Sequence, residues 1–124
     1  MTSRSFPFLT PLLLALAAGC GSYPPPAERL TTAEAAIRGA EEVGAAKVPR
    51  AQLHLQLAQE QTDKAKRLMQ DGYNERAELT LKRAQADAEL SIAIAKEHEM
   101  VTKAELEQAK VEQLKVAARN KDGQ

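Results

Sequence analysis

The sequence has few of the residues from which densely packed enzyme cores and disulfide frameworks are built. It contains no tryptophan, two tyrosines, two phenylalanines and one cysteine. One cysteine excludes an internal disulfide. So few large side chains allow only a small core, since burial stabilises by about 25 cal/mol per Å² of apolar surface. Alanine, leucine, glutamate, glutamine, lysine and arginine dominate instead. These strong helix formers favour long helices or a coiled coil over a globular enzyme.

The chain also lacks an excess of charge, because 17 Lys and Arg residues balance 17 Asp and Glu residues. A near-neutral chain presents no field that attracts nucleic acid, so we expect no nucleic-acid partner. Its apolar run over residues 6–18 is shorter than the roughly 20 residues that a membrane-spanning helix needs. That run is better suited to a secretory signal peptide, with Arg4 before it and small residues after it.

Residues 14–20 end on the only cysteine and resemble the signal of bacterial lipoproteins. In that lipobox a leucine and two small residues precede the cysteine, although Ala17 stands here where leucine is usual. The resemblance implies that residues 1–19 are removed and that Cys20 is lipidated. The alternatives are plain secretion and an uncleaved anchor.

Lipidation at Cys20 would hold the protein on a membrane essentially permanently, because each buried methylene contributes about 0.8 kcal/mol. In lipoproteins of Gram-negative bacteria, an aspartate after the cysteine typically retains the protein at the inner membrane. This chain has Gly21 at that position. The resemblance therefore implies a cell-envelope location at the outer membrane, facing the periplasm.

The mature chain is expected to be all-α and to fall into three parts. Residues 20–30 contain three consecutive prolines and predict an extended tether that holds the folded part away from the lipid. Residues 31–97 predict an alanine-rich domain, in which a short helix precedes an antiparallel helical hairpin. Residues 98–124 predict a helical extension with a disordered end. This extension is either a solvated tail stabilised by its charges or a coiled-coil stem that meets another copy or a partner protein.

The first helix is expected at about residues 32–44. Thr31 and Glu34 have the spacing of a capping box, and Gly44 is placed as a C-cap. The second helix is expected from Pro49 to Gln70, since proline is favoured in a first helical turn. Its expected apolar set is Ala51, Leu53, Leu57, Ala58, Ala65, Leu68 and Met69.

An Asp-Gly turn at residues 71–74 should end the second helix, and Asn74 can cap the third. The third helix meets no glycine or proline before Gly123 and is expected to be long and coiled-coil-like. Its seam steps alternately by four and three residues through Ala77, Leu81, Ala84, Ala88, Ser91 and Ala95. We expect Leu79, Leu90, Ile92 and Ile94 to widen the buried stripe.

The segment from about residue 33 to residue 96 resembles a family of bacterial envelope lipoproteins known only as a domain of unknown function (number 4398). The resemblance lies in the alanine spacing of Ala36, Ala40 and Ala84-x-x-Asp87-Ala88, around Pro49 and Gly72. In that family the pattern follows a lipoprotein signal, as it does here. The resemblance implies no activity and no catalytic residues. Some members carry an additional peptidoglycan-binding domain, for which this chain has no room.

The sequence offers no catalytic, metal or cofactor motif. His54 and His98 lie on different predicted helices, and neither belongs to a ligand pair such as His-Glu-x-x-His. The many carboxylates alternate with lysine and arginine, as on a solvated helix face. We therefore expect no enzymatic activity, no cofactor, no metal and no small-molecule substrate.

These observations predict a lipid-anchored envelope protein with a structural or adaptor role, which acts through helix–helix contacts in the periplasm. The residues predicted to contact a partner are Leu106, Ala109 and Leu114. One alternative is a self-associating coiled-coil spacer between outer membrane and cell wall. Another is a helical module that binds a small ligand or lipid, against which the shortage of large apolar residues counts.

Overall fold

A computed structural model describes residues 23–122, which fold as three helices and one short 3-10 turn. Helix α1 spans Ala27–Glu42, α2 spans Pro49–Gln70 and α3 spans Asn74–Asp122, with the 3-10 turn at Ala45–Lys47. This confirms the all-α fold with a long last helix. The signal peptide and Cys20 lie outside the described residues. Among the described helices, none combines the length and apolarity that crossing a membrane requires.

Helices α2 and α3 form an antiparallel hairpin, and α1 packs across both. Gln59 of α2 donates a hydrogen bond to Glu41 of α1 at 3.0 Å. Lys66 pairs with Glu34 at 2.9 Å. Gln59 precedes Lys66 in α2, whereas its partner Glu41 follows Glu34 in α1, so α1 is antiparallel to α2. It consequently runs parallel to the first half of α3.

The core of this bundle consists mostly of alanine. The expected seam of α3 is confirmed, since each of its members is buried. Ten of the fourteen buried apolar residues are alanines: Ala33, Ala40, Ala45, Ala51, Ala58, Ala65, Ala77, Ala84, Ala88 and Ala95. Small side chains at the contact let helix backbones approach closely. The bundle is therefore narrow and has little room for internal cavities.

The buried face of α2 differs from the expected set. It runs with a four–three spacing through Ala51, Leu55, Ala58, Thr62 and Ala65. Leu53, expected in the core, is 55% exposed because it lies about 200° around the helix from Ala51. Thr62 is accommodated because its hydroxyl donates to the carbonyl of Ala58 at 2.8 Å. On α3, Leu79 and Leu90 are likewise exposed, so the buried stripe is not widened there.

The expected capping box at Thr31 is wrong, because α1 already begins at Ala27. The hydroxyls of Thr31 and Thr32 donate to the carbonyls of Ala27 and Glu28, at 3.1 and 2.9 Å. They are bonded within the helix and do not cap it. The last four residues of the expected tether at 20–30 are thus helical, and Pro26, which precedes them, is buried.

Two glycines in the left-handed conformation end α1 and α2, as their positions predicted. Gly44 has φ 74° and Gly72 has φ 80°. After α2, the amide of Gly72 donates to Met69 and that of Tyr73 to Leu68, which is the Schellman pattern. Asn74 does not act as the expected cap, because it is already the first residue of α3 and its Oδ1, the atom that would cap, accepts no hydrogen bond. Its amide Nδ2 donates to the carbonyl of Tyr23 at 2.7 Å.

Helix α3 contains 49 residues and is about 73 Å long at 1.5 Å per residue. It remains helical to Asp122. The disordered end expected for residues 120–124 stays a prediction, and residues 123–124 lie outside the described part. We call residues 74–95 the proximal half of α3 and residues 96–122 the distal half. All the buried residues of α3 lie in the proximal half.

Candidate functional site

The distal half of α3 is the most distinctive surface of the molecule. Every residue from 96 to 121 is exposed, although several carry large apolar side chains. Met100 is 71% exposed and Leu114 is 70% exposed, while Val101, Leu106, Val111 and Val116 are at least 45% exposed. An isolated helix of this length is marginal in water, because most helical stability in proteins comes from tertiary packing. The distal half is therefore a helical segment that packing against a partner would stabilise.

Five apolar residues of the distal half, three of them large and two of them alanines, line one side of the helix. At 100° per residue, they fall within about 80° of arc. We call them the distal stripe: Met100, Ala104, Val111, Leu114 and Ala118. Continued at seven-residue spacing, the stripe reaches back to the exposed residues Leu90 and Ala93 on the proximal half. It is thus a second heptad seam, on the side of α3 that α1 and α2 leave uncovered.

The predicted contact residues Leu106, Ala109 and Leu114 are all exposed on the distal half. They do not share a single face. Leu114 belongs to the distal stripe, whereas Leu106 and Ala109 lie in line with the face that is buried in the proximal half. Their role remains a prediction. The alignment of the distal stripe was missed from the sequence, although its three- and four-residue spacing is visible there.

Charged residues give the distal stripe a definite pattern. In steps of seven residues, Glu97 precedes Ala104 of the stripe, and Glu107 lies between Met100 and Leu114. Lys96, Lys103 and Lys110 recur every seven residues along one edge. A partner helix that covers this stripe is favoured when it brings acidic residues to the lysine edge and cationic groups opposite the two glutamates.

Ion pairs within the distal half support the helix itself. Lys103 lies 2.5 Å from Glu99, and Lys110 lies 2.6 Å from Glu107. The hydrogen bond from Lys103 lowers the pKa of Glu99 below its ordinary value. Such exposed pairs contribute little each, but they favour the helical conformation of a segment that buries none of its residues from 96 to 121.

A partly buried polar group joins α2 to the proximal half of α3. Nδ1 of His54 lies 2.9 Å from one carboxylate oxygen of Asp87, and Nε2 of Gln61 donates to the other at 2.7 Å. Nearby, the buried hydroxyl of Ser91 donates to the carbonyl of Ala51 at 2.7 Å. Both oxygens of Asp87 are occupied by side chains of α2, so this group fastens the hairpin.

His54 and His98 are not brought together with further metal-binding side chains. Within residues 23–122, no three His, Cys, Asp or Glu side chains form a group that could hold a metal ion. His98 is exposed beside Pro49 and Val101, in a shallow groove where α2 begins. His54 is engaged by Asp87. Their geometry therefore gives neither histidine a ligand set.

Comparison with known proteins identifies one family. The model of a domain of unknown function, DUF4398, matches residues 28–109. The match includes all of the bundle except the first residue of α1, and it extends into the distal half of α3. No curated protein and no solved structure matches the chain. The chain therefore belongs to the family described as a domain of unknown function (DUF4398).

Proposed function

We propose that this protein is a non-enzymatic, lipid-anchored adaptor of the bacterial envelope, which binds a helix of another envelope protein through the distal stripe. The anchor is the acylated Cys20 implied by the lipobox resemblance of residues 14–20. The membrane is the outer membrane, and the helical domain lies in the periplasm. The observation that carries the adaptor role is the distal stripe, a heptad seam without tertiary contacts in the described chain.

Helix-in-groove recognition uses apolar anchors at three- and four-residue spacing. The distal stripe offers such anchors over about 27 Å, from Met100 to Ala118. Met100 and Leu114 are its most exposed large side chains. They are also adaptable in shape, methionine especially. We therefore assign Met100, Val111 and Leu114 as the anchors. Leu114 was already predicted from the sequence, whereas Met100 and Val111 are new.

A second candidate is the self-associating spacer, which the seven-residue spacing of the stripe favours. The charges oppose it. In a parallel pair of identical helices, residues at the same seam position face one another. Glu97 would then face Glu97 of the second copy, and Glu107 would face Glu107. Like charges in a seam are destabilising, so a different partner with cationic groups at these positions fits better.

The absence of enzymatic activity is also part of the proposal. It is supported by the alanine-lined core, which brings the helices together without a deep cleft between them. It is further supported by the polar group at Asp87, whose carboxylate oxygens are both taken up by α2. Catalytic carboxylates require a partly dry pocket that shifts their pKa values. Binding of a small ligand between the helices is disfavoured for the same reason.

The test is site-specific photocrosslinking in intact cells. A photoreactive amino acid replaces Leu114 in the stripe and, as a matched control, Gln113 on a different face one residue before it. The proposal predicts an adduct at Leu114 with a protein of different mass, and little or none at Gln113. The double substitution Met100→Asp with Val111→Asp should abolish that adduct without loss of folded protein.

The other outcomes are equally informative. An adduct at Leu114 with the mass of two copies of this chain would replace the adaptor with the spacer. Equal labelling at Leu114 and Gln113, or none at either, would show that the stripe contacts nothing specific. Either result would overturn the adaptor role.

A further inference from the structure

The polypeptide that enters the bundle is fastened to the end of the hairpin. The carbonyl of Tyr23 accepts a hydrogen bond from Asn74 at 2.7 Å, and the Tyr23 hydroxyl donates to the carboxylate of Glu78. Pro26 is buried. Residues 23–26 therefore follow the surface of the bundle to the first turns of α3, whereas the sequence predicted that they belong to a free tether.

This path limits how far the bundle can lie from residue 20. Only Gly21 and Ser22 separate Cys20 from Tyr23. Three residue steps at about 3.5 Å each span at most about 10 Å. If Cys20 carries acyl chains in a bilayer, as the proposed function requires, the turn between α2 and α3 is brought to the lipid headgroups.

The aromatic residues mark the same end of the molecule independently. Tyr23 and Tyr73 are the only aromatic residues from residue 20 onward. Both are at the α2–α3 turn, where Tyr23 is 43% exposed and Tyr73 is 55% exposed. The guanidinium of Arg76 lies over the Tyr73 ring, 5.6 Å from its centre. Tyrosine is enriched at membrane–water interfaces because it has an apolar ring and a polar tip.

Charge does not dominate at this end. Exposed Arg67 and Arg76 are balanced by exposed Asp71 and Glu75. Attraction to anionic lipids is consequently weak. The contact depends on the path of the chain and on the two tyrosines.

We infer that the α2–α3 turn, with Tyr23 and Tyr73, is the surface that lies against the headgroups of the membrane carrying the Cys20 anchor. This inference rests on the proposed lipidation. Helix α3 then leads away from the bilayer. Along its axis, Met100 is about 39 Å and Ala118 about 66 Å from Asn74. The distal stripe is thereby presented deep in the periplasm, and the rigid helix takes over the spacing role that the sequence assigned to the proline tether.

The test uses the full-length lipidated protein reconstituted into vesicles of phosphatidylethanolamine and phosphatidylglycerol. The diacylglyceryl group blocks the thiol of Cys20, so a single introduced cysteine accepts a fluorophore. Gln70→Cys places the label beside the turn, Arg50→Cys at the opposite end of α2, and Ala118→Cys in the distal half. Lipids with a nitroxide on the headgroup quench fluorophores that lie close to the surface. We expect loss of most emission at position 70 and no loss at positions 50 and 118.

Flotation of the vesicles separates the two hypotheses. Protein that does not float with them is not anchored, and the proposed lipidation fails. Floating protein with equal quenching at all three positions lies flat on the membrane. Floating protein with no quenching at any position is held off by a free tether. Either of these two outcomes overturns the inference while leaving the anchor intact.

A loosened variant tests whether the fastening sets this orientation. Tyr23→Ala combined with Asn74→Ala removes both side-chain bonds that hold the entering chain. We expect it to float as before, with unchanged helicity by circular dichroism, and to lose most of the quenching at position 70. Tyr23→Phe, which keeps the ring, should retain more of the quenching. Unchanged quenching in the double variant would contradict the role of the fastening.

Discussion

The proximal and distal halves of α3 belong to one uninterrupted helix but differ in composition. Alanine makes up 6 of 22 residues in the proximal half and 4 of 27 in the distal half, and charged residues make up 7 of 22 and 12 of 27. In the proximal half, the seam from Ala77 to Ala95 is covered by α1 and α2. Continued at the same spacing into the distal half, that seam meets His98, Thr102, Glu105, Ala109, Glu112, Val116 and Arg119, of which only two are apolar. A second row of apolar residues, the distal stripe, lies on the other side of the helix. One helix thus presents two seams on different sides, and only the first finds a partner within the chain.

The boundary between the halves follows from helix length. Helix α2 has 22 residues and is about 33 Å long. It leads back from the turn and covers α3 to about residue 95, which is the last buried position. Beyond it, α3 only borders the start of α2 through His98 and Val101, and every residue from 96 to 121 is exposed. The two halves therefore derive their stability from different sources: the proximal half from tertiary burial and the distal half from local helix-favouring interactions.

The largest expected contrast comes from the same truncation in each half. Leu81 is fully buried among alanines, so Leu81→Ala should lower the free energy of unfolding by about 2–5 kcal/mol. Leu114→Ala, at an exposed site, should change it by less than about 0.5 kcal/mol. Urea unfolding followed by circular dichroism measures both. A comparable loss in Leu114→Ala would mean that the distal half is packed in the free protein.

Replacing an alanine with a larger residue tests the same difference between the two halves by adding atoms instead of removing them. Ala88 is fully buried at the close approach of the helices, and Ala88→Leu should cost about 1–3 kcal/mol because the added atoms force the backbones apart. Ala109→Leu in the distal half has free space around it and should be neutral. Differential scanning calorimetry should show a lower Tm for the first variant only. An unaltered Tm in Ala88→Leu would refute the tight seam.

The smallest expected effect is the response of each half to acid. Lys82 and then Tyr23 lower the pKa of Glu78 in the proximal half, and Lys103 lowers the pKa of Glu99 in the distal half. A lowered folded-state pKa stabilises the fold at neutral pH. That contribution is lost as the pH falls below the ordinary glutamate value of about 4.3 and through the folded-state pKa.

The consequences of protonation differ between the halves. At Glu78, protonation weakens the acceptor of the Tyr23 hydroxyl and should loosen residues 23–26. At Glu99 it should only weaken a pair within one helix. NMR signals of the Tyr23 ring, followed through the acid range, should move with the titration of Glu78, and Glu78→Gln should remove that response. A Tyr23 signal that follows Glu99→Gln instead would contradict this assignment.

Much of the bundle could be predicted from residue spacing. The seam of α3, the start of α2 at Pro49 and the glycine turns at Gly44 and Gly72 each depend on local chemistry or on a long periodic pattern. The errors occurred where local signals compete. Thr31 and Glu34 match a capping box, but Ala27 to Leu30 also favour a helix, and burial of Pro26 against the bundle decides in favour of the earlier start. Leu53 and Leu55 are equally apolar, and only the four–three register of α2 decides which is buried.

The candidate site could be predicted only in part, because here too the packing of the helices decides which residues are buried. The sequence left the distal half of α3 open between a solvated helical tail and a stem that meets a partner. Leu106, Ala109 and Leu114, its predicted contact residues, are exposed there. Which apolar residues remain uncovered depends on which face α1 and α2 occupy. The face that α1 and α2 occupy distinguishes the distal stripe from the line of Leu106 and Ala109. The sequence does not specify this face, because it depends on how the helices pack.

The sequence by itself determined the class of structure. Helix-forming composition, heptad spacing and left-handed glycines are properties of local stretches, so they predict three helices and their turns without knowledge of packing. Only the tertiary structure decided that residues 23–26 lie against the α2–α3 turn and that α3 extends beyond α1 and α2. These features arise from contacts between residues about 50 positions apart, such as Tyr23 with Asn74 and Glu78. No local pattern encodes such contacts, because their geometry exists only after the helices have packed.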